Sequence, residues 1–136
     1  MKINQKAVLE FCRARSCAIY DIKSWEFLGT ATAIAPNYLI SCNHCTDLRN
    51  EVSDGTRLFE VVSQMTCSDT VLLECLEPLN MTHFIASSED AQMGETVIVY
   101  GYRYRDGCVN DVAIYTDIGS FSERILANDC DAHQVY

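Results

Sequence analysis

The chain is 136 residues long, 49% hydrophobic and 21% charged, with a formal net charge of −9. That length and apolar content suit one globular core and exclude a disordered chain, and the ten scattered Lys and Arg exclude the basic stripe that a nucleic-acid partner requires. The opening Met1-Lys2-Ile3-Asn4-Gln5-Lys6 lacks the apolar stretch of an export signal and no later run approaches ~20 apolar residues, so a cytoplasmic chain with no membrane partner is expected.

Eight cysteines without an export signal are expected to be free, mostly buried thiols. Over residues 4–15, Ala7, Val8, Phe11 and Cys12 recur on one side at helical spacing, which predicts a short amphipathic helix. Leu9 falls off that stripe. Beyond residue 16 the pattern changes to short runs rich in β-branched and aromatic residues, at 17–22, 29–35, 38–41, 58–64, 70–74, 96–101, 111–122 and 132–136. Turn signals separate them, among them Ala35-Pro36-Asn37, Ser53-Asp54-Gly55 and Arg105-Asp106-Gly107. That rhythm predicts an all-β, antiparallel barrel or sandwich.

Two of these strands, joined by the Pro36-Asn37 turn, deliver His44 to the point where a strand gives way to a loop. A general base needs such a position, held by a rigid element yet open to substrate. Farther on, Cys67-Ser68-Asp69-Thr70-Val71-Leu72-Leu73 sets an aspartate at the head of an apolar strand. A carboxylate there can hold the far nitrogen of an imidazole and fix its tautomer. Taken singly, His44 and Asp69 read as a structural histidine and a turn residue.

Taken in order, the Gly29-Thr30 strand, the Ile34-Ala35-Pro36 turn, the Leu39-Ile40-Ser41 strand, Asn43-His44, and Ser68-Asp69 before Val71-Leu72-Leu73 resemble the first barrel of trypsin-like peptidases, the HtrA-like branch in particular. Met93-Gly94-Glu95-Thr96-Val97 through Gly101 resembles that family's strand closing the first barrel. Thr116-Asp117-Ile118-Gly119-Ser120 resembles the strand opening the second. The resemblance covers residues 17–136. It implies an antiparallel six-stranded Greek-key barrel, with an N-terminal helix over 1–16, the first barrel over 17–104 and an incomplete second barrel over 105–136.

The resemblance also implies roles. His44 is the general base and Asp69 its orienting carboxylate, in an endopeptidase that hydrolyses peptide bonds through an acyl-enzyme and requires no metal or organic cofactor. The family's nucleophile lies in a Gly-x-Ser-Gly-Gly or Gly-x-Cys-Gly-Gly loop, which has no counterpart in these 136 residues, so the chain by itself is expected to be inactive. Its expected partners are a protein or peptide substrate and either the complementary C-terminal half of the domain or a second copy. The alternative is a non-catalytic pseudoprotease that serves as an interaction module; retention of both His44 and Asp69 counts against it. Digestive members pair the cysteine after the histidine with one on the preceding strand, but Phe27-Leu28-Gly29-Thr30 offers no such partner to Cys45.

Cys42-x-x-Cys45 also invites a zinc or redox reading. Zinc needs about four ligands, and even with Cys67 as a third the sequence offers no second C-x-x-C or His pair, so no metal site is assigned. A thioredoxin-like role needs a βαβ context that the strand pattern denies. Cys42 is expected to point into the barrel and Cys45 to lie beside His44. Cys108 and Cys130 lack the flanking glycines of an oxyanion loop and are rejected as nucleophiles. His83 and His133 read as surface histidines, and Tyr100, Tyr102 and Tyr104 as a packing stripe.

Overall fold

The computed structural model describes residues 4–87, 89 and 91–117. Helix α1 (Gln5–Arg13) starts where the Asn4 side chain accepts the Ala7 N–H at 3.1 Å. Cys12 is its buried residue. Phe11 stays half exposed, packing edge-on against Phe84 at 5.6 Å under the Arg15 guanidinium, which stands 3.5 Å from its ring.

Six strands follow: β1 (Ser16–Tyr20), β2 (Phe27–Ala35), β3 (Tyr38–Cys42), β4 (Glu51–Ser53), β5 (Leu58–Met65) and β6 (Thr70–Cys75). They close an antiparallel barrel in the order β1-β2-β3-β6-β5-β4, with Tyr20 opposite Ser53 completing the circuit. Between β3 and β4 lies the short helix α2 (Asn43–Thr46), and a single 3₁₀ turn, Thr66–Ser68, precedes β6.

Alternation along each strand decides what fills the barrel. Gly29, Ala31 and Ala33 of β2 and Val71, Leu73 and Cys75 of β6 face inward at every second position. One row of partners, Ala33↔Leu39↔Leu73↔Val61, crosses four strands and sets a small residue against large ones, so that the layers interdigitate. Ile19, Val52 and Phe59, wholly buried, and Leu79 complete the core. Each such side chain contributes about 1.5–3 kcal/mol of hydrophobic stabilisation.

Strands β7 (Thr96–Arg105) and β8 (Cys108–Asp117) form a separate two-stranded sheet, in register over ten consecutive pairs. Asp106 and Gly107 make its two-residue turn, both with left-handed backbone at φ 54° and 80°, which matches the twist of a tight hairpin. The segment expected to close the first barrel is therefore the first arm of this hairpin, and the closure falls to β4, a strand of three residues absent from the sequence expectation. The predicted strand over 132–136 and the Ile118-Gly119-Ser120 part of the last motif lie outside the described residues. No helix among the described residues is long and apolar enough to cross a membrane.

Candidate functional site

β3 ends at Cys42, and the chain turns at once into α2, which puts His44 on the rim of the barrel rather than in its core. The neighbouring strand β6 begins at Thr70, so Asp69 lies directly beside that turn, as the pairing of Cys42 with Thr70 requires. Asp69 has left-handed backbone at φ 51°, a conformation that aspartate tolerates better than most residues. That local twist lets one residue grip the α2 turn three ways. Its carbonyl accepts the Asn43 N–H at 3.0 Å, its Oδ1 accepts the His44 N–H at 2.9 Å, and its Oδ2 meets His44 Nδ1.

The two residues singled out in the sequence, 25 positions apart, are thus brought together. Their side chains are 36% and 47% exposed. The carboxylate is thus about half open to solvent. Nδ1 is engaged by Asp69, and Nε2 stands 3.7 Å from Sγ of Cys45.

Cys45 is buried beside His44, as expected, whereas Cys42 does not point into the core. Period-two alternation explains the difference: Leu39 faces inward, so Cys42, three residues on, falls on the opposite face. The neighbouring Cys45 thiol favours a Cys42 thiolate and pulls Cys42 down to about 7, while the same neighbour, together with burial, pushes Cys45 up.

A hollow of about 320 Å³ opens beside these groups, lined in part by Thr30, Ser41, Cys42, Cys45, Asp69 and Tyr100. It is floored by ordered contacts. The Ser41 hydroxyl donates to the Thr30 carbonyl at 2.6 Å, and the Tyr102 N–H donates to Thr30 Oγ1 at 2.7 Å. A larger hollow of about 480 Å³ lies against Asp21, Lys23, Leu48, Arg49 and Glu51. There Asp21 accepts from Arg49 at 2.7 Å and from the N–H groups of Lys23 and Ser24, which hold its carboxyl well below the usual range. Asp21 and Arg49 are engaged with each other there, whereas Asp69, Cys42 and Cys45 gather at the smaller hollow, which is therefore the candidate site.

The other candidates fall as the bland readings expected. His83 is exposed, and Cys67 and Cys108 are exposed thiols away from the core. Tyr100 and Tyr102 pack edge-on at 6.0 Å, but the stripe is not wholly apolar packing, since the Tyr100 hydroxyl donates to Asp111 at 2.7 Å and Tyr104 is exposed. Cys130 and His133 lie outside the described residues. Sequence reasoning missed Asn43, whose backbone completes the Asp69 grip, and nothing in its residue type signals that role.

No protein-family model and no curated protein matches the sequence. Solved structures do match its fold. The Rv3671c protease from M. tuberculosis in its active form is similar at 24% identity over 81% of this chain and 50% of that one, with a TM-score of 0.62. The inactive form of the Rv3671c protease gives 23% identity over 82% and 54%, with a TM-score of 0.59. Kallikrein-related peptidase 10, in a complex with Zn²⁺, gives 11% identity over 75% and 56%, with a TM-score of 0.53. The chain spans about half the length of the solved structures it matches. At these identities the likeness speaks for architecture alone, and with its closed, antiparallel six-stranded barrel the chain has the trypsin-like peptidase fold.

Proposed function

We propose that this chain supplies the general base and its orienting carboxylate to a trypsin-like endopeptidase. In this reading His44 Nε2 takes the proton from a serine or cysteine nucleophile as it attacks the peptide carbonyl, then returns it to the leaving amine. Asp69 keeps Nδ1 protonated, so that the Nε2 lone pair stays available, and it stabilises the imidazolium that forms in between. The observation that carries the reading is the double hold of Asp69 on the backbone N–H and the Nδ1 of His44. It fixes both where the ring sits and how it is turned, which a base requires and a surface histidine does not.

The nucleophile and the oxyanion donors come, on this reading, from outside the described residues, and the 136-residue chain alone hydrolyses no peptide. The test is peptide hydrolysis by the full-length protein that contains this chain. His44→Ala and Asp69→Asn are each expected to lower kcat by about 10⁴-fold. Wild-type kcat in either variant overturns the proposal.

We further infer a partner for the hairpin, with residues 105–136 opening a second barrel. Among the described residues β7 and β8 hydrogen-bond as a sheet only to each other, and the outer edges of such a ribbon are templates for further strands. A complementary C-terminal half or a second copy of the chain would supply them. Analytical ultracentrifugation at high concentration should show self-association of the isolated chain, reversed by adding the complementary half. A strictly monomeric chain that ignores that half would refute it.

A further inference from the structure

Cys42, His44 and Cys45 come from four consecutive residues, and one ligand atom from each lies within 4.8 Å of the other two. Sγ of Cys45 is 3.7 Å from Nε2 of His44. With bonds of ~2.3 Å to a thiolate and ~2.05 Å to an imidazole nitrogen, that separation subtends about 116° at a shared ion, near the ~109° of a tetrahedral site. A second observation is independent of this spacing. Asp69 already engages Nδ1 of the same ring, and a carboxylate behind an imidazole is the arrangement that orients metal-binding histidines and raises their basicity.

We propose that Cys42, His44 and Cys45 form a zinc site, with His44 ligating through Nε2 and the fourth position open to the hollow that Cys42 and Cys45 line. Two thiolates and an imidazole select a borderline-soft ion over magnesium or calcium, which take oxygen ligands. Binding releases the thiol protons of Cys42 and Cys45, and the two resulting thiolates balance the charge of the ion. The sequence set looked incomplete because it was counted in pairs of like residues; the missing ligand is the histidine between the two cysteines. Zinc binding itself is independent of the peptidase reading. Its consequence rests on that reading: the Nε2 lone pair cannot both hold a metal and accept a nucleophile's proton, so zinc switches the base off and a chelator restores it.

The experiment titrates the reduced 136-residue chain with Co²⁺ and then Zn²⁺. One Co²⁺ per chain is expected, with thiolate-to-cobalt charge-transfer absorption of two-thiolate intensity that Zn²⁺ abolishes by displacement. Because that band reports both sulfurs without any substitution, it needs no variant at buried Cys45. Cys42→Ser, at a half-buried position, should halve the band and weaken zinc at least about 10-fold, and Asp69→Asn should weaken it about 10–100-fold. Cys67→Ser, an exposed thiol outside the cluster, should change neither. Absence of the charge-transfer band, or unchanged binding in Cys42→Ser, overturns the site. In the full-length protein, His44-dependent hydrolysis that zinc leaves untouched overturns the switch, whereas hydrolysis indifferent to His44→Ala defeats the peptidase reading and leaves the cobalt result standing.

Discussion

The barrel of residues 16–75 and the hairpin of residues 96–117 are both antiparallel β-structure, but they are stabilised in different ways. In the barrel every strand has two neighbours, and Ile19, Leu39, Val52, Phe59, Val71 and Leu73 are fully buried inside it. In the hairpin Gly101 is the only buried residue among the described ones, and Ile98 and Tyr104 are exposed. Closure removes edges and creates an interior at once. A lone ribbon has neither and depends on what it docks against. The candidate site falls on the side of that division where positions are fixed: His44 and Asp69 sit at the ends of two paired barrel strands, β3 and β6.

The largest expected effect comes from opening the barrel core. Phe59→Ala leaves a cavity in the core that Phe59 shares with Leu39, Val52 and Leu73 and should cost about 3–5 kcal/mol, a large share of the ~5–15 kcal/mol that holds a domain of this size. Urea unfolding would measure it. Hydrogen exchange should show protection falling across all six barrel strands together, because they share one core. A loss confined to β5 would mean that the barrel is not one cooperative unit.

A smaller effect is expected where the two regions are joined. The Tyr102 N–H of β7 donates to Thr30 Oγ1 of β2, so Thr30→Val keeps the shape and removes the acceptor. The unsatisfied N–H should cost about 1 kcal/mol. The loss should appear as faster exchange of hairpin amides with the barrel amides unchanged, which separates docking from folding. Equal loss in both regions would show that the hairpin is part of the barrel's cooperative unit.

The same division marks how much could be read from the sequence. Strands β1, β2, β3, β5 and β6 were legible as runs rich in β-branched and aromatic residues set between turn signals, and α1 because Ala7, Val8, Phe11 and Cys12 recur at its period. β4 was not, since Glu51-Val52-Ser53 is too short to show a period, and its role comes from pairing with Tyr20 and Phe59. The order of His44 and Asp69 along the chain was visible, but their contact depends on the left-handed turn at Asp69 and on a carbonyl bond to Asn43, neither of which residue type encodes. β7 was found as a strand and assigned the wrong neighbour. Its alternating Tyr100, Tyr102 and Tyr104 fit a barrel wall equally well, and only the Asp106-Gly107 turn, which returns the chain as β8, directs its pairing elsewhere.

The smallest expected effect lies at the far end of the hairpin and depends on pH. Arg13 of α1 donates to both Asp111 oxygens, at 2.9 and 3.1 Å, and Tyr100 donates to the same carboxylate at 2.7 Å. Burial alone would raise the Asp111 carboxyl, yet the Arg13 and Tyr100 donors outweigh it and hold the group below its ordinary value. A carboxylate depressed in the folded state contributes stability that is present above its unfolded pKa of ~3.9 and fades as pH falls through the lower, folded value. Because Arg13 is 55% exposed, the contribution is expected to stay within about 1 kcal/mol and to shrink further in high salt. Hairpin exchange should therefore quicken below about pH 4 while the barrel holds. In Asp111→Asn the pH step should vanish, with hairpin protection at neutral pH already at the acid level. If the step survives in Asp111→Asn, another carboxylate anchors the hairpin, and the clasp between α1 and β8 is only a surface ion pair.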